Sequence, residues 1–424
     1  MSVKLNSIQS DKLFAWAKLL ALTGSAQVVV QAIGFVSGIL IIRLLQPSEY
    51  AFYILANTIL GTMTVLADGG IGTGVMAQGA AVWQDKQKLG SVLATGINLR
   101  KKFAIFSILV SVPVLVYLLL HNGASLFTTV MICLALIPAF YAGLWDSILD
   151  IVPRLHQSVV PLQKNQVAVG IGRLAMQGLS LFVFPWAYIA ILANGIPRLL
   201  GNIKLKKIAY EFADASAKPD PLVQTEILKI VKRYMPGAIY FSLSGQITLW
   251  LISVFGNTTA IAQIGALGRF SVILTLVITI TGTLITPRFA RLEKNKKRIL
   301  KYYFQILSGL FLLMALIVGA TVLFPKQILW ILGGNYKDLQ FELILCIAGS
   351  CLGVLSDIAF SLLTSRGWMY HPLVYIGVNI LSIIFVALSL DITTVSGALG
   401  MTIIVNTVLL LMNIVIFIRS NYKS

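Results

Sequence analysis

Charged residues are scarce in this 424-residue sequence. They make up only 11% of the chain, whereas 58% of its residues are hydrophobic. A typical soluble domain is about one quarter charged. The scarcity of charge excludes an ordinary soluble globular protein and predicts an all-α integral membrane protein.

Acidic residues, cysteines and histidines are also few. The chain has 15 acidic and 33 basic residues, a formal net charge of +18, three cysteines and three histidines. The basic residues lie between apolar runs, which favours a role in membrane orientation over nucleic-acid binding. No Cys/His cluster or catalytic constellation is present in the pattern, so we expect neither a metal site nor an enzyme.

The apolar runs are long enough to cross a membrane. A helix needs about 20 residues, at a rise of about 1.5 Å each, to cross roughly 30 Å of hydrocarbon. We therefore predict about twelve spans, at 19–42, 49–70, 103–120, 125–144, 165–183, 185–203, 236–255, 259–286, 302–323, 341–363, 372–390 and 396–418.

The lysines and arginines predict the topology, because positive residues concentrate in cytoplasmic loops. With a cytoplasmic N-terminus, all but five of the 33 basic residues fall on the inner side. Arg43, Lys326 and Lys337 fall outside, and only Arg173 and Arg269 are assigned to spans. Both termini are then cytoplasmic.

The spans divide into two sets of six. We predict an N-terminal lobe at 1–203, a cytoplasmic linker at 204–235 and a C-terminal lobe at 236–424. Within the linker, "LVQTEILKIVKRY" predicts an interfacial amphipathic helix. The two sets have similar hydropathy patterns, which favours a parallel repeat of two six-helix lobes around a central cavity, although chance similarity is an alternative.

Arg173 and Arg269 are the candidate substrate-binding cations. A charge at mid-membrane costs about 2.5–3.5 kcal/mol, so such residues usually face a cavity or a partner. A guanidinium matches phosphate or carboxylate bidentately, which favours an anion site. The alternative is that an aspartate of the same lobe holds each arginine. Gln27 and Gln31 lie one helical turn apart and would either bind sugar hydroxyls or join helices.

Two aspartates are candidates for ion coupling. Asp68 lies in the glycine-rich "LADGGIGTGV", and a carboxylate beside a broken helix suits a coupling proton or sodium ion. The alternative for Asp68 is a helix end near the headgroups. Asp357 lies deeper and lacks an adjacent partner. By contrast, Asp146, Asp150 and Arg154 share one face and predict an ion-paired helix end.

The segment "GFVSGILIIRLLQPSEYAFYILANTIL", residues 34–60, carries a family resemblance. The sequence resembles the polysaccharide-transporter branch of the multidrug/oligosaccharidyl-lipid/polysaccharide (MOP) exporter superfamily. The resemblance lies in the turn residues Arg43, Pro47, Tyr50 and Tyr53 and in the following "ADGGIGTGV". Ala51 stands where that family usually has glycine. The motifs cover only about the first 75 residues.

This resemblance implies a Wzx-type flippase with a MATE-like fold in the bacterial inner membrane. Such a protein moves an undecaprenyl-pyrophosphate-linked oligosaccharide, such as an O-antigen repeat unit, from the cytoplasmic to the periplasmic leaflet by alternating access. Its expected partners are this lipid-linked oligosaccharide, membrane lipids and possible polysaccharide-assembly proteins; a monomer is favoured. No cofactor is expected beyond the coupling ion.

Three alternatives remain open. A drug or cation antiporter of the same superfamily would need acidic groups at mid-depth. A lipid II flippase would usually carry two further helices. A membrane glycosyltransferase or polymerase would need a larger outer loop than the longest one predicted here, 324–340.

Overall fold

The computed structural model describes residues 28–293, 295–368 and 372–423, and these ranges contain helices and connections with no strand. The all-helical prediction is therefore confirmed. The α-helices are α1 (Val28–Leu44), α2 (Pro47–Asp68), α3 (Ile71–Ala81), α4 (Lys86–His121), α5 (Leu126–Leu149), α6 (Ile151–Leu155), α7 (Val159–Val183), α8 (Ala187–Tyr210), α9 (Pro221–Ser244), α10 (Ile247–Phe255), α11 (Thr258–Ile280), α12 (Thr286–Ala290), α13 (Lys296–Leu323), α14 (Pro325–Trp330), α15 (Gln340–Ser365), α16 (Pro372–Ser389) and α17 (Val395–Lys423).

The helices make this a multi-pass membrane protein. Eight of them, counted in the described ranges, are long and apolar enough to cross a membrane, or nine if α9 and α10, which meet at a 55° bend, form one span. The described part of α1 and the helix α16 are shorter apolar helices. A helix lies at each predicted span, the first being described only from residue 28. The count of twelve spans and the cytoplasmic termini stay predictions.

The chain forms two compact units. Unit 1 comprises Met1–Ile41, Ala56–Val116 and Leu126–Ser242, and unit 2 comprises Ile42–Leu55, Tyr117–Ser125 and Leu243–Ser424. The predicted lobes at 1–203 and 236–424 and the linker at 204–235 remain predictions.

The amphipathic segment of the linker is part of a longer helix. It forms the beginning of α9, which continues without a break to Ser244. Ile227 and Val231 are buried in the apolar core of unit 1, whereas Leu222 is 78% exposed. Leu222 therefore lies off the buried face that these isoleucine and valine side chains define.

Small residues bring α5 and α8 together in unit 1. A Cβ atom added to Gly195 would lie 2.9 Å from the Ala139 Cα atom, which leaves no room for a side chain there. Beside this contact, the Asn202 side-chain amide donates to the Ala142 carbonyl at 2.8 Å. Small residues and side-chain amides commonly join membrane helices, because lipid provides no hydrophobic drive for helix association.

Unit 2 repeats this arrangement with α15 and α17. The Asn413 amide donates to the Ser356 carbonyl at 3.2 Å, and the Asn406 amide donates to the Gly349 carbonyl at 2.9 Å. A Cβ atom on Gly353 would lie 3.0 Å from Asn406 Nδ2, so glycine permits the close approach here as well.

The matching contacts stand at a nearly constant sequence offset. Asn202 and Asn413 are 211 positions apart, and their acceptors, Ala142 and Ser356, are 214 apart. The helices α2 and α11 also begin 211 positions apart. These matches support the predicted internal repeat.

Replacing Gly195 by valine should destabilise the protein, because its side chain would collide with the α5 backbone. Overpacking of this kind costs about 1–3 kcal/mol. The matched control is Gly319→Val, since a Cβ atom at Gly319 of α13 has nothing within 4 Å. Thermal unfolding in detergent should show a lower midpoint for Gly195→Val than for the control. Equal midpoints would contradict the close helix contact.

Candidate functional site

Arg173 lies inside unit 1 on α7. It is about 14 residues from the start of that helix, or about 21 Å along its axis. The guanidinium is half-buried, and its Nη1 donates to Asn194 Oδ1 of α8 at 3.3 Å. A Cβ atom on Gly34 would lie 3.9 Å from Arg173 Nη2, so α1 passes close to this guanidinium.

Arg198 is a second guanidinium in the same unit. Its Nε and Nη2 atoms donate to Asp146 Oδ2 at 3.0 and 2.5 Å. The Arg198 and Asp146 side chains are 44% and 33% exposed. Asn194 and Arg198 are four residues apart on α8, so they share a helix face. We call Arg173, Asn194, Arg198 and Asp146 the unit 1 polar row.

The predicted ion-paired end of α5 is therefore only partly as expected. Arg154 pairs with Asp150, but Asp146 pairs with Arg198 instead. Arg198 lies in "GIPRLLGN", within the predicted span 185–203, although it was counted among the basic residues of the inner side. Its position within a predicted span was the available signal for this residue.

A third arginine, Arg100, lies within a helix and not in a connection between two predicted spans. The helix α4 begins at Lys86, well before the predicted span at 103, and places Arg100 inside the fold with its side chain only 6% exposed. The guanidinium forms an ion pair with Asp68 and donates to the Leu144 carbonyl and to Ser147 Oγ, both at 2.6 Å.

Asp68 also stabilises a helix break. The chain leaves α2 through Gly69 and Gly70, whose φ angles of 50° and 99° are favourable only for glycine. The Asp68 carboxylate accepts the backbone N–H of Gly72 at 3.0 Å in the first turn of α3. These contacts give Asp68 a structural role, and its predicted role in ion coupling stays a prediction.

Arg269 is held differently in unit 2. Its Nε atom donates to the Tyr50 hydroxyl at 3.4 Å, and it forms no ion pair with any described residue. Tyr50 is fully buried, and its ring stacks on that of Tyr53 with centroids 6.1 Å apart. Close by, α11 packs tightly against α2, because a Cβ atom on Gly265 would lie only 2.5 Å from Ile54 Cγ1.

The arginine of the quoted turn motif has a structural role in unit 2. Arg43 donates to the carbonyls of Trp330 and Ile331 at 2.7 and 2.9 Å, where α14 ends. Its guanidinium also lies 5.1 Å from the centroid of the Trp330 ring. It thus satisfies carbonyls that a helix terminus leaves unpaired.

Asp357 is an exposed carboxylate within the apolar helix α15. It makes no hydrogen bond or ion pair with any residue that the structure describes. Two contacts between α15 and the α11–α12 segment lie on either side of it in sequence: Ser350 with Ser271 at 2.6 Å, and Ser361 with Thr286 at 3.4 Å. A carboxylate at this depth without a partner suits a water-filled cavity better than lipid.

A threonine stripe on α11 and its extension was not predicted. Thr275, Thr279 and Thr283 recur every four residues, are exposed, and donate to backbone carbonyls at 2.6, 2.9 and 2.7 Å. The last lies in a π-helical segment, Thr281–Ile285, a feature frequent at functional sites. The four-residue spacing of threonines was the available signal.

The other predicted site residues are less informative. Gln27 lies outside the described residues, and Gln31 is half-buried on α1. Arg173 belongs to unit 1 and Arg269 to unit 2, and their common cavity stays a prediction. The described ranges contain no group of three or more histidine, cysteine or acidic residues placed to hold a metal ion.

Comparisons with known proteins identify the fold. No protein-family model and no curated protein sequence matches the chain. One similar solved structure is that of a multidrug resistance MATE family transporter of the MOP superfamily in an inward-facing conformation. It matches with a TM-score of 0.70 and 15% identity, over 93% of this chain and 96% of that one. An outward-facing MATE transporter matches at 0.57 and 14% identity, over 96% of each chain.

The lipid II flippase MurJ, in an inward closed conformation, matches with a TM-score of 0.71 and 13% identity, over 95% of this chain and 88% of that one. At these identities the likeness shows the fold alone. The chain has the helical fold of the MATE and MurJ transporters, and the predicted MATE-like fold class is confirmed.

Replacing Arg100 by leucine should destabilise unit 1, because Asp68 would lose its cation. Removing one partner of a buried ion pair costs about 3–5 kcal/mol. The double variant Asp68→Asn/Arg100→Leu should recover part of this loss. The control is Arg298→Leu, whose ion pair with Glu293 is exposed and should contribute less than about 1 kcal/mol. Thermal unfolding in detergent measures all three, and equal midpoints for Arg100→Leu and Arg298→Leu would contradict the role of Arg100.

Proposed function

We propose that this protein is a flippase for an undecaprenyl-pyrophosphate-linked oligosaccharide, an O-antigen repeat unit or a similar one, in the bacterial inner membrane. The observation that carries the proposal is Arg269, a guanidinium within an apolar helix that forms no ion pair among the described residues. Its contact with the neutral Tyr50 hydroxyl leaves its charge uncompensated. An anionic substrate would supply the missing negative charge.

The unit 1 polar row supports the same substrate class. It contains two guanidinium groups and one carboxylate, and Arg198 and Asp146 remain partly exposed after they pair. A guanidinium has donors that match the oxygens of a phosphate bidentately. We infer that Arg173, Arg198 and Arg269 bind pyrophosphate oxygens during transport, and that Gln27 and Gln31 bind sugar hydroxyls.

The structural neighbours are compatible with a lipid-linked substrate. One of them is titled a lipid II flippase, and this chain matches most of its length. The proposed transport is alternating access from the cytoplasmic to the periplasmic leaflet, driven by a proton or sodium gradient. Such a protein would need no enzymatic group.

A drug or cation antiporter is the second candidate. Two of the neighbours are titled multidrug resistance transporters, and Asp357 gives unit 2 an exposed carboxylate with no described partner. Such a carboxylate would bind an organic cation or a coupling ion. If the protein is a flippase, Asp357 would bind only a coupling ion.

Arg269→Ala and Arg173→Ala should each reduce surface polysaccharide display, while the lysine variants keep part of it. A charge-assisted hydrogen bond contributes about 1.5–3 kcal/mol, so each loss should lower transport at least about tenfold. The measurement is polysaccharide display in cells that lack their own flippase, with membrane expression checked.

Two controls separate charge from packing. Tyr50→Phe removes the described hydrogen bond to Arg269 but leaves the guanidinium, so display should persist. Arg291→Ala removes an exposed arginine after α12 and should also be neutral. Normal display from both alanine variants of the predicted site would contradict the anion-binding proposal.

Asp357→Asn should reveal whether the carboxylate binds a coupling ion or a transported organic cation. If it couples lipid transport, the variant should lose the dependence of flipping on a proton or sodium gradient in vesicles. Asp338→Asn, an exposed position between α14 and α15, is the matched control. Export of an organic cation that disappears with Asp357→Asn, without any lipid flipping by the unsubstituted protein, would favour the antiporter instead.

A further inference from the structure

Two apolar grooves lie on either side of Tyr141 and Trp145 in unit 1. One, of about 270 Å³, lies between α4 and α5, and the other, of about 290 Å³, lies between α5 and α8. Their walls include exposed apolar side chains, such as Ile105 at 63% and Leu200 at 61%. We call them the α4–α5 groove and the α5–α8 groove.

Each groove contains one exposed lysine, Lys101 in the α4–α5 groove and Lys206 in the α5–α8 groove. Neither lysine forms an ion pair within the described ranges. Lys101 Nζ lies 5.9 Å from the centroid of the Trp145 ring. Arg100 also lines the α4–α5 groove, but its guanidinium is already bound to Asp68 and to the Leu144 carbonyl.

The two lysines and Trp145 lie at one level along the helices. Lys101 is about 20 residues from the end of α4, and Trp145 and Lys206 are each about 19 residues from the starts of α5 and α8. At about 1.5 Å per residue, each lies roughly 30 Å from the opposite end of its helix, which is about the thickness of the hydrocarbon core. This level is the inner interface in the predicted topology, where tryptophan and tyrosine are enriched.

We propose that these grooves bind an anionic phospholipid of the inner leaflet. Its acyl chains would lie against the apolar walls on the two sides of α5, and its phosphate would bind Lys101 and Lys206. A lipid with no net charge has the same acyl chains, but its headgroup has no net negative charge to attract the lysines. Lysines near the membrane surface attract anionic lipids, so the charges favour the anionic headgroup.

The test is lipid binding by the purified full-length protein in an uncharged detergent, read by native mass spectrometry. Phosphatidylglycerol and phosphatidylcholine with identical chains are titrated separately. The unsubstituted protein should retain phosphatidylglycerol more tightly, and Lys101→Gln/Lys206→Gln should weaken that binding by at least about tenfold. Because the readout is binding, it is independent of the proposed transport function.

Lys204→Gln/Lys207→Gln is the matched control. These lysines are exposed on the same helix as Lys206 and do not line either groove, so their loss removes equal charge. Phosphatidylglycerol binding should survive in this control. Equal losses in both double variants, or equal retention of the two lipids by the unsubstituted protein, would overturn the proposal.

A polyprenyl pyrophosphate is the competing occupant, because it also joins an apolar chain to an anionic group. Added at the same concentration as phosphatidylglycerol, it should fail to displace the phospholipid from the unsubstituted protein. Displacement that depends on Lys101 and Lys206 would assign the grooves to the transported lipid and would overturn the phospholipid site.

Discussion

Charge within the hydrocarbon is the constraint on which this structure depends. A cation placed at mid-membrane costs about 2.5–3.5 kcal/mol unless the fold provides a partner or water. Unit 1 provides a carboxylate as the partner, since Asp146 binds Arg198. In unit 2, the Tyr50 hydroxyl accepts a hydrogen bond from Arg269. The charge of Arg269 therefore has no acidic partner among the described residues.

Helix contacts determine where these charges lie. In unit 1, Gly195 lets α8 approach α5, and the Asn202 amide joins the same two helices, so Arg198 reaches Asp146. The equivalent contacts of α17 and α15 occur in unit 2, but Asp357 of α15 has no arginine partner there. The shared architecture thus carries different electrostatics: Arg198 of α8 pairs with Asp146 in unit 1, whereas Asp357 and Arg269 of unit 2 form no ion pair with any described residue.

Hydropathy predicts the helices because a membrane requires every spanning backbone to satisfy its own hydrogen bonds. The glycines of "LADGGIGTGV" offered a broken helix as one of two alternatives, and the chain does break after α2 at Gly69 and Gly70. The partners of Arg100 and Arg198 could not be predicted, because pairing depends on the register between helices that are distant in sequence. The same holds for Arg43, whose acceptors lie almost 290 residues away.

The hydropathy pattern also does not predict the full lengths of α4 and α9. Both helices continue past the apolar run into polar sequence, where α4 buries Arg100 and α9 buries Ile227 and Val231. Hydropathy marks the length exposed to lipid, whereas tertiary packing stabilises the rest of each helix.

The proposed function requires that the protein recognise its lipid substrate through the negative charge of the pyrophosphate. The most direct measurement uses purified protein in liposomes with two fluorescent polyprenyl-linked oligosaccharides, one joined through pyrophosphate and the other through a neutral glycosidic bond. Flipping is followed by accessibility to a membrane-impermeant quencher. We expect transport of the pyrophosphate form alone, and equal transport of the two lipids would contradict the proposed function.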